Sequence, residues 1–246
     1  MKCNKLSSLF LLAMTLASIC SCKKVVKPES AEKREAWLET LNDSINIYQH
    51  KMDSLTDVLK EDNERLGEML AKFEHVNNSR EVTGYYILKS WKSRYPLTST
   101  GIVARLNEDE KLEVIAALSG GSFTGIRLES GGNVFSSERV PHDQAFNYKS
   151  GSLNTVCFSG NQADSIAQFI ARNCNNDIKL TFLENNATGN IKIPGDEKNM
   201  ISETWNLYNT RKESKENEKL ISLYAGKIAG CNKVLRNNEE SSEKTE

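Results

Sequence analysis

The chain has 246 residues, with 32 Lys and Arg against 33 Asp and Glu, a formal net charge of −1 and a hydrophobic share of 38%. So even a balance supplies no basic field for nucleic acid, and three histidines leave little material for a metal centre. The length suits one or two domains.

The N-terminus opens with Lys2 and Lys5 and continues into a nearly uncharged run, Leu6 to Ile19, that ends in small residues. This is the layout of a secretory signal peptide. The run is shorter than the ~20 apolar residues a helix needs to cross hydrocarbon, which disfavours a permanent transmembrane segment. Its end, Ile19-Cys20-Ser21-Cys22, resembles a bacterial lipobox. Cys22 fits that motif better than Cys20, because small Ser21 precedes it where bulky Ile19 precedes Cys20. The resemblance, to Gram-negative envelope lipoproteins, implies that 1–21 is a cleaved leader, that Cys22 is lipidated with palmitate-type chains, and that 22–29 is a tether. The plain alternative is an ordinary signal peptide with incidental cysteines. Lipid chains contribute ~0.8 kcal/mol per buried methylene, so the membrane becomes a partner through the anchor. Lys23 stands where an aspartate would signal inner-membrane retention, which implies the outer membrane, and no acidic cluster of the kind used for surface export follows, which implies its periplasmic face. Removal of 1–21 takes Lys2 and Lys5 with it and lowers the formal charge to −3.

From Ser30 the periodicity becomes helical, with Ser30 as a start signal. Leu38, Leu41, Ile45, Tyr48, Met52, Leu55, Leu59, Asp62, Leu66, Met69, Phe73 and Val76 recur at alternating spacings of three and four. The pattern predicts a coiled-coil helix over 30–77 with one polar interruption, Asp62. At 1.5 Å per residue the stripe is roughly 57 Å long.

"VNNSREVTG" (76–84) ends that pattern, and period-two alternation follows, predicting a β-rich domain over 82–195. Tyr85 to Trp91 forms an apolar stretch. Three hairpins are expected: Ile102–Leu106 with Leu112–Leu118 around the acidic turn 107–110, Phe123–Leu128 with Val134–Val140 around Ser130-Gly131-Gly132-Asn133, and Ala145–Tyr148 with Leu153–Phe158 around "KSGS". Ala163 to Asn173 reads as a helix with Ile166, Phe169 and Ile170 on one side. Ile178, Leu180 and Phe182 open a further strand, and another ends near Ile193. Eight or nine strands and one covering helix make a mostly antiparallel sandwich or barrel.

The spacing predicts a C-terminal helix over 197–236, whose stripe from Met200 to Leu235 includes the polar positions Thr210, Ser214 and Asn217. A tail at 237–246, without apolar residues, is expected to be disordered. The fold class is thus α+β, the two long helices flanking the β-domain. Their stripes are nearly equal in length, so they can pair as an antiparallel stalk. In that register Asp62 falls level with Thr210 and Arg211, so polar meets polar. The competing arrangement is a parallel homo-oligomer through the N-terminal helix.

Signatures of chemistry are few. HExxH, CxxC, P-loop and GxSxG patterns do not occur, and the "SGG" repeats at 119–121 and 130–132 bound strands as hairpin turns. No cofactor is expected. His142, fourteen intervening residues before Cys157, distantly resembles the L,D-transpeptidases, in which a histidine activates a thiolate. Those enzymes carry a Ser-x-Gly-Cys stretch and a following arginine, whereas this chain reads Asn154-Thr155-Val156-Cys157-Phe158-Ser159. Tyr85, Tyr86 and Trp91 are candidates for a sugar-stacking surface, core packing being the commoner use of such residues. The reading that unites these features is a lipid-anchored envelope protein acting as a structural, scaffold or recognition module toward an envelope protein or glycan. A cell-wall enzyme using His142 and Cys157 and a glycan-binding module are the alternatives. Cys157 and Cys174 are expected not to form a disulfide, because a helix between them holds them too far apart.

The lipid assignment has a direct check. Cys22→Ala should abolish incorporation of labelled palmitate and leave a precursor or a soluble chain, while Cys20→Ala should still be acylated; the reverse pattern would assign the anchor to Cys20.

Overall fold

The computed structural model describes residues 31–77, 84–185 and 187–243. The leader, Cys20, Cys22, the tether and residues 78–83 of the 76–84 break lie outside them. Among the described residues no helix is long and apolar enough to cross a membrane. The elements are α1 (Ala31–Leu70), β1 (Phe73–Val76), β2 (Tyr85–Leu88), a 3-10 helix (Lys89–Arg94), β3 (Gly101–Asn107), β4 (Leu112–Ser119), β5 (Gly125–Ser130) and β6 (Asn133–Ser136). They continue with β7 (Asn147–Ser150), β8 (Leu153–Ser159), α2 (Gly160–Arg172), β9 (Lys179–Leu183), β10 (Ala187–Lys192) and α3 (Gly195–Glu243). The class is α+β. Contacts divide the chain into a helical unit, reaching to Lys60 and resuming at Glu216, and a β unit, Glu61–Lys215.

In the helical unit α1 and α3 run antiparallel. Arg34 Nη2 donates to the Asn238 carbonyl at 2.8 Å, and the Tyr48 and Tyr224 rings stack with centroids 5.7 Å apart. Moving from the first contact to the second covers fourteen residues on each helix, in opposite senses. The heptad stripe is the seam: Leu38, Ile45, Tyr48, Met52, Leu55 and Leu59 are half-buried and Leu41 is buried, while most of the positions between them are exposed. The seam of α1 is therefore taken up by the same chain. Helix α3 runs on to Glu243, past the expected helix end at 236. Asn238 is buried and its Nδ2 donates to the Val234 carbonyl.

The described residues of the β unit form ten strands in two antiparallel sheets, β1-β2-β3-β4-β8-β7 and β10-β9-β5-β6. The three expected hairpins are present as β3–β4, β5–β6 and β7–β8. Gly131 and Gly132 both have positive φ, 55° and 85°, the backbone that a two-residue hairpin turn demands and that only glycine adopts without strain. Phe123 meets Phe182 edge-on at 4.9 Å, and both are fully buried with Ile126, Leu128, Val156 and Phe158. Helix α2 buries Ala163, Ile166, Ala167 and Ile170, one stripe at helical spacing.

Two expectations at the junctions need correction. The helical stripe extended to Val76, but α1 ends at Leu70, and Phe73–Val76 is a strand paired with Tyr85–Leu88. A spacing of three and four fits Phe73 and Val76 to a helix, yet an antiparallel ladder with β2 satisfies their backbone and buries Phe73. The first strand therefore begins at 73, and His75 lies on it. At the polar interruption, buried Asp62 pairs with Arg65 of its own helix at 2.8 Å, and Arg65 Nη2 lies 3.4 Å from Thr210 Oγ1. Arg211 is instead 2.9 Å from Glu110 in the β3–β4 turn, where Lys215 also binds. These two cations, Lys215 foremost, hold the Glu110 carboxyl below its ordinary range.

Helix α3 begins two residues before the expected 197, and its first turn closes an open edge. Strand β2 pairs with β3 only at Asn107 and Leu106, so the first half of β3 has no strand on that side. There Glu197 Oε2 accepts from Ile102 N at 3.2 Å and Met200 Sδ from Ala104 N at 3.4 Å. A Cβ on Gly101 would stand 3.0 Å from Glu197 Oε1, so the glycine gives the carboxylate room. Burial pushes the Glu197 pKa up from 4.5 to about 7. The folded state thus binds a proton that the unfolded chain gives up, and stability is lost as pH rises from the unfolded value through about 7. Glu197→Gln keeps a carbonyl acceptor and removes the titration. The variant should gain about 2 kcal/mol over wild type at pH 8 and little at pH 4, as read by urea unfolding at both values; an equal difference at the two would refute the buried-charge account.

Candidate functional site

His142 sits on the loop before β7, and a buried amide pair holds it. Asn147 Nδ2 donates to the Phe123 and Val140 carbonyls, which leaves Asn147 Oδ1 as acceptor for Asn154 Nδ2 at 2.9 Å and for His142 Nδ1 at 3.1 Å. Asn154, fully buried, also accepts from Phe123 N at 2.7 Å and donates to the Tyr148 carbonyl. The second ring nitrogen, Nε2, lies 3.4 Å from Glu184 Oε1. Both nitrogens are committed.

Cys157 is elsewhere. On β8, Asn154, Val156 and Phe158 are buried and alternate with half-buried Thr155 and Cys157. Successive strand residues point to opposite faces, so the amide network that holds His142 and the Cys157 side chain belong to opposite faces of the sheet. The two residues are not brought together as base and nucleophile. No disulfide joins Cys157 to Cys174.

The aromatic candidates also separate. Tyr85 is buried, edge-on to Tyr95 at 5.0 Å, with the Arg105 guanidinium 4.6 Å above its ring. Trp91 is buried under Arg94. Only Tyr86 is half-exposed, and it leans on His75 at 4.8 Å. Two of the three rings are thus packed as core.

The concave surface lies instead around the β5–β6 hairpin. One groove, about 510 Å³, is lined by the charged Glu129, Lys179, Asp177 and Lys192 with Gly131 and Gly132. Glu129 is already paired with Arg127 at 3.1 Å and Lys179 at 3.5 Å, and Lys192 with Asp177 at 2.7 Å. These charges are mutually neutralised. The second groove, about 560 Å³, runs between β6 and α2 and is lined by Val134, Phe135, Ser165, Gln168, Phe169 and Arg172. Known proteins offer no guide here: no family model, curated protein or solved structure matches the chain.

The second groove combines three properties. Strand β6 is the last of its sheet. Because Ser137 N donates to the Ile126 carbonyl, alternation turns the Val134 and Ser136 backbone groups away from β5, toward the open edge. Phe135 and Phe169, with ring centroids 6.3 Å apart, make an apolar floor, and Val134 is 60% exposed. Helix α2 turns Ser165, Gln168, Phe169 and Arg172 toward the groove, away from its buried stripe. Among the described residues Arg172 forms no ion pair and is the groove's sole charged side chain. Sequence reasoning missed this site, since a polar helix face reads as a solvated one. An exposed valine on an edge strand was the available signal.

The amide network is structural in this geometry. Asn154→Ala strands the Phe123 N–H in the interior and takes a donor from the Tyr148 carbonyl and from Asn147 Oδ1, and should cost about 2–4 kcal/mol, whereas His142→Ala, at a half-exposed side chain, should cost less than about 1 kcal/mol. Urea unfolding of both variants checks this, and equal losses would show that the histidine carries the network.

Proposed function

We propose that this chain is a lipid-anchored envelope protein that acts without catalysis, as a scaffold or recognition module, and that its β unit receives an extended segment of an envelope partner along β6. The anchoring half of this reading rests on the leader and the lipobox-like Ile19–Cys22; Cys22 would fix the chain to the outer membrane on its periplasmic side. The observation that carries the recognition half is the open β6 edge beside the groove face of α2. An added strand takes main-chain hydrogen bonds from Val134 and Ser136, and alternate side chains enter the groove over Phe135 and Phe169. Arg172 favours a segment carrying a carboxylate near that end of the groove.

A photo-crosslinking amino acid at Val134, in the full chain in living cells, should yield an adduct that maps to an extended stretch of a partner. The same group at Lys149, exposed on β7, should not, and Arg172→Glu should reduce the Val134 adduct at least about tenfold, the effect of ~1.4 kcal/mol. Absence of a Val134 adduct, or indifference to Arg172→Glu, would sink the β6 assignment.

A further inference from the structure

The helical unit has one side that a paired helix hairpin does not use. Of the large hydrophobic side chains that are exposed, Ile47, Val58, Leu220 and Leu223 belong to this unit, at 43%, 42%, 39% and 51% exposure. Each immediately precedes a seam residue: Tyr48, Leu59, Ile221 and Tyr224. One residue is a turn of about 100° around a helix, so all four are rotated off the seam in the same sense about their own helix axes. The helices are antiparallel, and equal rotations about opposed axes carry the side chains to the same side of the pair. The four residues therefore form one stripe.

The opposite side is different in kind. Positions just after the seam hold Asn42, Asn46, Gln49, Asp53 and Thr56 on α1, and Glu218, Ser222 and Ala225 on α3. The seam itself is thin: Leu41 and Cys231 are the only buried apolar residues of the described helical unit. Two helices alone bury one seam each. A hairpin with a second apolar flank is half of a four-helix bundle.

We propose that the occupant of this stripe is a second copy of the chain, related by a two-fold axis along the helices, so that α1 packs against the partner's α3. Every helix then has antiparallel neighbours, and the symmetry fixes the register. With Tyr48 level with Tyr224, Ile47 meets Leu223 of the partner subunit two residues off level, about 3 Å along the axis. Charge is complementary in the same arrangement. Lys51 and Glu216 both lie on this side, each just before a seam position, and the partner's Glu216 falls five residues from the level of Lys51, about 7.5 Å and within reach of two long side chains. A parallel two-fold also puts both N-termini at one end of the bundle, as anchoring in one membrane requires. That last point rests on the lipoprotein reading; the stripe and its charges do not.

The test uses the full lipidated chain in its membrane. Two differently tagged copies, one Ile47→Cys and one Leu223→Cys, both with Cys157, Cys174 and Cys231 replaced by serine, should form a disulfide between tags on mild oxidation. A pair with the cysteines at Asn46 and Ser222, on the opposite side, should not. The chain purified in detergent should sediment as a dimer, and Leu223→Asp should weaken dimerisation about 100-fold while leaving helical circular dichroism and the Val134 crosslink unchanged. A monomer at all concentrations, no inter-tag disulfide, or equal cross-linking from both sides would overturn the proposal. Loss of the Val134 crosslink with an intact dimer would count against the groove alone.

Discussion

The half-open edge of β3 is the constraint around which the β unit is arranged. A strand buried as thoroughly as β3, where Ile102, Val103, Ala104 and Leu106 have no exposure, cannot leave N–H groups unsatisfied. Strand β2 is too short to cover them all, and side chains of α3 replace the missing strand. A carboxylate is a strong acceptor for an amide, but it must be buried to reach this one, and its raised pKa follows from that burial. Helix α3 is thereby held to the sheet by its first turn, with Asp196 ion-paired to Arg94 beside it.

The polar interruption in the helical stripes answers to the same kind of demand. Where α1 and α3 run within the β unit, Asp62, Thr210 and Ser214 occupy seam positions that would otherwise carry leucine. Arg65 supplies the compensating charge for Asp62 from one turn along the same helix, which leaves Arg211 and Lys215 for Glu110 in the β3–β4 turn. A buried carboxylate without such a partner would cost several kcal/mol, and a single paired one specifies register as well as fold. In the helical unit the register rests on the stacked tyrosines, over which Lys51 and Lys227 lie.

The polar groups of the β unit divide by whether they are already satisfied. His142, Asn147 and Asn154 bind one another and the backbone, and the charges around Gly131 and Gly132 are paired among themselves. Recognition needs uncommitted donors and acceptors beside apolar area. The β6 edge with the groove face of α2 supplies that combination, an extended main chain next to two aromatic rings and an arginine.

Local repetition determined much of this protein without reference to its tertiary structure. The heptad stripe from Leu38 to Met69, the buried pair Ile166 and Ile170, and the turns at Gly131 and Gly132 follow from spacings of three, four and two and from positive φ, all of which act over a few residues. Even the meeting of the polar interruptions of the two stripes, made through Arg65 between Asp62 and Thr210, was legible, because two long stripes of similar length admit few registers. What sequence could not decide was where a helix yields to a strand whose partner lies elsewhere. Phe73 and Val76 suit either structure, and pairing with Tyr85–Leu88 chose the strand. The same holds for Cys157 and the amide network that holds His142, close in sequence and on opposite sheet faces, and for Glu197, whose burial depends on β2 stopping short. Periodicity reports which face a residue takes within its own element; only non-local pairing settles what that face meets.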